Sequence, residues 1–168
     1  HTRCSRDWSS DVCSSDLHYI LIDCPPSLGL LTINALTASD SYLVPMQCEY
    51  FSLEGLSQLV STASLIQGAL NPKLALEGIL LTMFDSRNNL AHQVSDEVRK
   101  HFGEKLFNTV IPRNIKLSEA PSHGKPVLLY DIESKGARSY LEATKEIIER
   151  NLPRATLERL QAAAPANL

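Results

Sequence analysis

The chain contains no apolar run approaching the ~18 residues that a bilayer-spanning helix needs, and its first residues lack the apolar centre of a secretory signal. Neither a membrane span nor secretion is indicated, and the cytoplasm is the expected location. Cysteine is sparse. Cys4, Cys13, Cys24 and Cys48 form no CxxC pair and no Cys/His spacing of a zinc site, so reduced, structural thiols are expected rather than a disulfide or metal framework. Positive charge is not in excess, since 16 Lys and Arg face 19 Asp and Glu for a net charge of −3. Contact with a nucleic acid would therefore depend on a local basic patch. Only 7 glycines occur, none of them in a GxxxxGK[ST] or KGG run, so these residues carry no glycine-rich phosphate cradle. His92, His101 and His123 belong to no visible nucleophile or metal constellation and read as polar surface or turn residues.

What is present suits one globular unit: 168 residues with 43% hydrophobic content can bury a real core. Residues 1–17, HTRCSRDWSSDVCSSDL, differ in kind from the rest, being rich in Ser, Asp, Cys and Arg without helical or strand period. The run from Asp7 to Leu17 resembles one reading frame of a common sequencing adapter. A non-native or disordered leader is thus expected over 1–17, a folded region over 18–152 and a tail over 153–168, with the true protein starting upstream of His18.

From His18 onward short apolar runs alternate with helical patterns, which predicts an α/β fold with a mostly parallel sheet. Tyr19 to Ile22 is continuously apolar and ends at Asp23, as for a strand buried on both faces. Tyr42 to Val44 stops at Pro45, Gly78 to Phe84 ends at Asp85, Leu106 to Ile111 ends at Pro112, and Val127 to Tyr130 adds a short last strand. Ser52 is a candidate N-cap for a helix with Leu53, Leu56, Val60, Leu65 and Ile66 on one side and a stop at Asn71-Pro72. Ala91, Val94, Val98 and Phe102 mark a second helix. A last one spans about Gly136 to Arg150, with Tyr140, Leu141, Ala143, Ile147 and Ile148 facing inward.

In an open α/β sheet, ligands bind beyond the carboxyl ends of the strands, so the loops after Asp23, Pro45, Asp85 and Pro112 are the place to look for chemistry. A carboxylate directly after a buried strand is costly unless it is paired, hydrogen-bonded or held near a cation. Asp23 could meet a Mg²⁺-water shell beside phosphates or could cap the next helix, and the Asp-Cys-Pro-Pro run leaves both open.

The segment HYILIDCPPSLGLLTINAL resembles the switch II, or Walker B, region of the ParA/MinD ATPases. The likeness continues through SYLVPMQCEYFSLEGLSQL, GILLTMFDSRNNLAHQVSDEV and IPRNIKLSEAPSHGKPVLLYD followed by SKGARSYLEATKEI, covering nearly everything from His18 to about Arg150 and pointing to the Soj-like branch. The resemblance implies a P-loop NTPase-like fold of the deviant Walker A type, with helices on both faces of the sheet and without its N-terminal P-loop strand. It implies ATP and Mg²⁺ as cofactors, with Asp23 holding Mg²⁺ through water. Pro25 and Pro26 would open the switch loop, and Pro112, Arg113 and Asn114 would pack around adenine. Arg87 and Lys116 match positions implicated in DNA contact. The implied partners are a ParB-type protein, nonspecific double-stranded DNA and, with ATP bound, a second copy of the chain, all at the nucleoid.

Two rivals stand beside this reading. A MinD-like membrane-associated ATPase would need a C-terminal amphipathic helix with a basic face and bulky apolar residues, which NLPRATLERLQAAAPANL, with two arginines, one glutamate and mostly alanine on its apolar side, does not supply. The other is a non-hydrolysing nucleotide-fold scaffold. An intact upstream phosphate loop would decide for the enzyme. The 168 residues alone are expected to be poorly soluble and inactive.

Overall fold

A computed structural model describes residues 17–25, 27 and 29–152. The leader, Pro26, the tail, Cys4 and Cys13 lie outside the described residues or at their margin. The elements are α1 (Leu30–Ala38), β1 (Ser41–Gln47), α2 (Tyr50–Ala69), β2 (Ala75–Phe84), α3 (Asn89–Phe102), β3 (Leu106–Pro112), α4 (Ile115–Glu119), α5 (Val127–Tyr130) and α6 (Lys135–Asn151). Short 3₁₀ turns at Gly103–Lys105 and Ala120–His123 complete them. The strands form one sheet in the order β1-β2-β3, with β2 and β3 parallel. The described residues fall into two compact units. The first takes the chain up to Val44 together with Tyr50–Gly78, and the second takes Pro45–Glu49 together with the chain from Ile79 onward.

In the first unit, Leu36, Ala63, Ile66 and Leu74 make a small core, with Ile33 and Tyr42 packed against it. Asn71 joins its pieces. Its buried amide donates to the carbonyls of Leu36 at 3.1 Å and Ser39 at 2.7 Å, satisfying acceptors that the end of α1 leaves open. α2 begins at Tyr50, so Ser52 lies within its first turn rather than at its N-cap. Leu65, placed on the inner face by periodicity, is exposed while Ile66 is buried.

The expected first strand is corrected. Tyr19 to Ile22 has no regular structure, and Leu21 is 92% exposed. A strand exists only where its N–H and C=O groups find a ladder partner, and among the described residues the sheet has only three strands, none of them at 19–22. Asp23 therefore does not follow a buried strand. β1 does not stop at Pro45 but runs through it to Gln47. Proline lacks the N–H of a ladder donor, and β1 is an outer strand of the three, where that loss is tolerated.

In the second unit, Leu80, Phe107, Ile111 and Ala143 form the core, with Leu117 and Ile147 against it. α3 follows the expected spacing, with Ala91, Val94 and Val98 buried, Asn88 as N-cap and Gly103 at φ +52 closing its end. α6 is present as expected. Its buried residues are Gly136, Ala137 and Ala143, whereas Tyr140, Leu141 and Ile148 are exposed, against the inward face assigned to them. Gly136 is needed for close approach, because a Cβ there would lie 2.6 Å from Leu117 Cγ. Val127 to Tyr130 is a single helical turn and not a strand. Its bonds are local, from Tyr130 N to Pro126 O and from Asp131 N to Val127 O, and it joins no sheet.

β3 is the other outer strand, and α6 finishes its edge. The register shifts between Ile79↔Leu106 and Leu81↔Val110, and the Glu146 carboxylate accepts from the N–H groups of Asn108 and Thr109, each at 2.9 Å. One turn on, Arg150 donates to Glu146 at 2.7 Å and to the carbonyls of Leu106 and Glu104, with its guanidinium 4.0 Å above the Phe107 ring. Backbone groups that would otherwise template another strand are thus occupied by side chains.

Candidate functional site

The carboxyl ends of β2 and β3, together with Gln47 at the end of β1 and Cys48 and Glu49 after it, surround a cleft of about 220 Å³ in the second unit. Gln47, Glu49, Met83, Asp85, Asn88 and Arg113 are among its lining residues. This is the strand-end location expected from the sequence. Met83 has a φ of +50, a left-handed conformation costly for a residue with a long side chain, and it lies where the β2–β3 register shifts between Leu81 and Phe84. Cys48, also in its wall, is buried, and burial pushes its thiol up to about 11, so it is a neutral thiol and not a nucleophile at neutral pH.

Pro112 closes β3, and the N–H of Arg113 donates to Phe84 O at 3.0 Å, continuing the ladder by one bond. Arg113 is among the residues that line the cleft. Asn114 is the N-cap of α4, its side-chain oxygen accepting from Lys116 N at 2.8 Å. Its amide NH₂ is not used by that bond and is the group left to meet a ligand.

Both cations singled out for DNA contact carry an acidic partner. Arg87 makes a two-pronged pair with Asp85, at 3.1 Å from Nε to Oδ1 and 3.1 Å from Nη2 to Oδ2, while its own N–H bonds Oδ1 at 3.0 Å. The guanidinium beside Asp85 holds that carboxyl below the usual range. Lys116 Nζ lies 2.9 Å from Glu119 Oε2 and 5.6 Å from the centre of the Tyr130 ring. Tyr130 donates its hydroxyl to the same oxygen at 3.0 Å, and His123 stacks on its ring. Glu119 is lowered by Lys116 first and then by Tyr130, while Lys116 and Tyr130 are raised by Glu119.

The structure thus gathers Arg113 with Gln47, Glu49, Asp85 and Asn88. Asp23 and Pro25 are exposed residues of the first unit. The acidic partners Asp85 and Glu119 were not singled out as site residues. Their signals are short-range: carboxylates two and three positions from the cations. Gln47 and Asn88 carried no signal beyond lying near strand ends.

A family model described as an AAA domain matches residues 10–76. The chromosome partitioning protein ParA of Myxococcus xanthus is 57% identical over 147 residues, 88% of this chain and 52% of that protein. The sporulation initiation inhibitor protein Soj of Bacillus subtilis is 64% identical over 129 residues, 77% of this chain and 51% of that protein. The chain is homologous to the ParA/Soj chromosome-partitioning proteins. It spans about half the length of these curated relatives. A solved structure titled cobyrinic acid a,c-diamide synthase from Mycobacterium smegmatis, with bound ADP and magnesium, aligns with a TM-score of 0.56 at 37% identity, covering 71% of this chain and 42% of that one. The cell division ATPase MinD of Pyrococcus furiosus aligns with a TM-score of 0.63 at 24% identity over 79% of this chain and 52% of that one, which speaks for a shared α/β fold. Among the described residues no helix is long and apolar enough to cross a membrane.

Proposed function

We propose that this chain is the C-terminal part of a ParA/Soj-type partitioning ATPase that acts at the nucleoid. In this reading the ATP-bound protein dimerises on nonspecific double-stranded DNA and leaves it after hydrolysis stimulated by a ParB-type partner. The observation that carries the reading is the cleft at the strand ends, with Arg113 in its wall and Pro112 and Asn114 beside it, in a chain homologous to partitioning proteins over 88% of its length.

The cleft fits part of a nucleotide. At about 220 Å³ it is smaller than the ~300–1,000 Å³ of sites that enclose a whole ligand, so it suits a flat base and leaves the phosphates outside. A planar guanidinium and the amides of Gln47, Asn88 and Asn114 are the chemistry that holds such a ring, by stacking and by hydrogen bonds. Magnesium keeps several waters and takes one or two carboxylates together with substrate phosphates, a set that Asp23 meets only with the triphosphate present. Bound magnesium would neutralise charge developing on the phosphates. In this assignment Asp23 orients its water shell, Pro25 and Pro26 stiffen the loop that follows, and Pro112, Arg113 and Asn114 hold the base. The γ-phosphate would order the switch loop and favour the dimer, which pools Arg87 and Lys116 from two subunits.

The test is to express the longer protein that includes the residues upstream of His18 in its native gene. Magnesium-dependent ATP turnover is expected, together with retention on duplex DNA that falls with salt. R87A/K116A should weaken that retention and flatten its salt dependence while sparing nucleotide binding. No affinity for ATP with magnesium would refute the nucleotide assignment, and unchanged retention in R87A/K116A would refute the DNA assignment.

A further inference from the structure

In the second unit both candidate phosphate contacts are clasped by carboxylates close in sequence, Arg87 by Asp85 two residues before it and Lys116 by Glu119 three residues on within α4. The Arg87–Asp85 clasp is two-pronged, and the backbone N–H of Arg87 anchors the same carboxylate. Asp85 is therefore held in place by the turn and does not meet Arg87 by chance rotation. The Lys116–Glu119 clasp is likewise anchored, because Tyr130 donates to the carboxylate that Lys116 contacts and lies beneath the ammonium. Arg87 remains largely solvent-exposed with its carboxylate partner more shielded, at 88% and 31% side-chain exposure. A phosphate can therefore approach the guanidinium from outside but meets the carboxylate's field behind it.

We propose that Asp85 and Glu119 are built-in electrostatic restraints on DNA binding, which hold Arg87 and Lys116 in a preset geometry while weakening their grip on the phosphate backbone. This rests on the DNA-contact role proposed above for the two cations. Geometry and affinity are separated in such a device. The clasp fixes where each cation points, which lowers the ordering cost of contact, and the nearby negative charge keeps the complex weak and rapidly reversible. A protein that must leave DNA at each cycle has use for a contact that is well placed but not strong. Removing one carboxylate relieves a like-charge repulsion across several ångströms of water, an effect of about three-fold in affinity at low salt. In a dimer carrying the change in both subunits it becomes about ten-fold. The gain should fade as salt screens it.

The experiment uses the longer protein with ATP and magnesium on immobilised nonspecific duplex DNA across a salt series. Asp85→Asn and Glu119→Gln keep a side-chain oxygen for the Arg87 N–H and for the Tyr130 hydroxyl, and each is read singly and together, so that misfolding of the double variant leaves two readings. Glu142→Gln, an exposed carboxylate on α6, controls for net charge. Support is a rise in low-salt affinity of about ten-fold in each single variant and about a hundred-fold in the double variant, absent from the control and abolished when R87A/K116A is added. No rise, or a rise matched by Glu142→Gln or surviving R87A/K116A, overturns the restraint while leaving the DNA role of the cations intact. If R87A/K116A alone changes nothing, the underlying DNA reading fails, and the restraint fails with it.

Discussion

The exposed leucines of the first unit should dominate the solution behaviour of the 168-residue chain. Leu21 is 92% exposed, Leu30 78% and Leu31 72%. Burying a leucine fully is worth about 2 kcal/mol, so these three together leave about 5 kcal/mol of apolar burial unused per chain. Two copies that cover each other's leucines would recover up to about 10 kcal/mol, against an association cost of about 4–15 kcal/mol. The balance straddles zero, which predicts weak, open-ended association and not a tight closed dimer. β1 adds to the hazard as an outer strand. In sedimentation velocity the weight-average mass should climb steadily with concentration from micromolar upward. A triple variant L21K/L30E/L31E should hold the chain monomeric, since each change replaces an apolar contact with a charge that must stay hydrated. A single monomeric species for the unmodified chain on the order of 100 μM, or a triple variant that associates equally, would refute the assignment of self-association to these leucines.

Further tests are best run in that solubilised background. Asn71→Ala removes two donations to carbonyls at the end of α1 and should destabilise the first unit by about 2 kcal/mol, seen as a fall of about 6 °C in thermal midpoint by circular dichroism. At Glu146, burial pushes the carboxyl up, but the N–H groups of Asn108 and Thr109 and the Arg150 guanidinium outweigh it and hold the group below its usual value. A lowered folded value contributes stability above the unfolded value near pH ~4.3 and loses it as pH falls through the folded one. Glu146→Gln should therefore flatten the acid limb of the stability profile below pH ~4.3 and cost about 2 kcal/mol at neutral pH; an unaltered acid limb would argue against the β3 clasp.

Helices were more legible than strands for a reason visible in single residues. The α3 pattern of Ala91, Val94 and Val98 depends on a period that the backbone fixes locally, and all three are buried. Tyr19 to Ile22 has the composition of a buried strand, but a strand is completed by partners distant in sequence, and composition cannot supply them. Val127 to Tyr130 failed in the same way, since four apolar residues fit a strand or one helical turn equally well. Within α6, bulk misled: Tyr140, Leu141 and Ile148 were assigned inward, whereas the close packing is made by Gly136, Ala137 and Ala143. Gly136 faces Leu117 so closely that a methyl group would collide with it, a constraint that a hydrophobicity pattern cannot express.

The candidate site was legible as a location before it was legible as a mechanism. Strand ends marked by Asp85 and Pro112 led to the cleft, because the topology of an α/β sheet fixes where its loops converge. The electrostatics did not follow from the same reasoning. A net charge of −3 required any basic patch to be local, and the family resemblance pointed to Arg87 and Lys116 without the carboxylates two and three residues away. Short spacing is a weak signal, since most exposed neighbours of opposite sign contribute little. It becomes informative when a third group fixes the carboxylate, as the Arg87 N–H does for Asp85 and the Tyr130 hydroxyl does for Glu119. A freely rotating carboxylate would swing away from an arriving phosphate, whereas an anchored one must be faced by it, and that difference separates a restraint from an incidental surface pair.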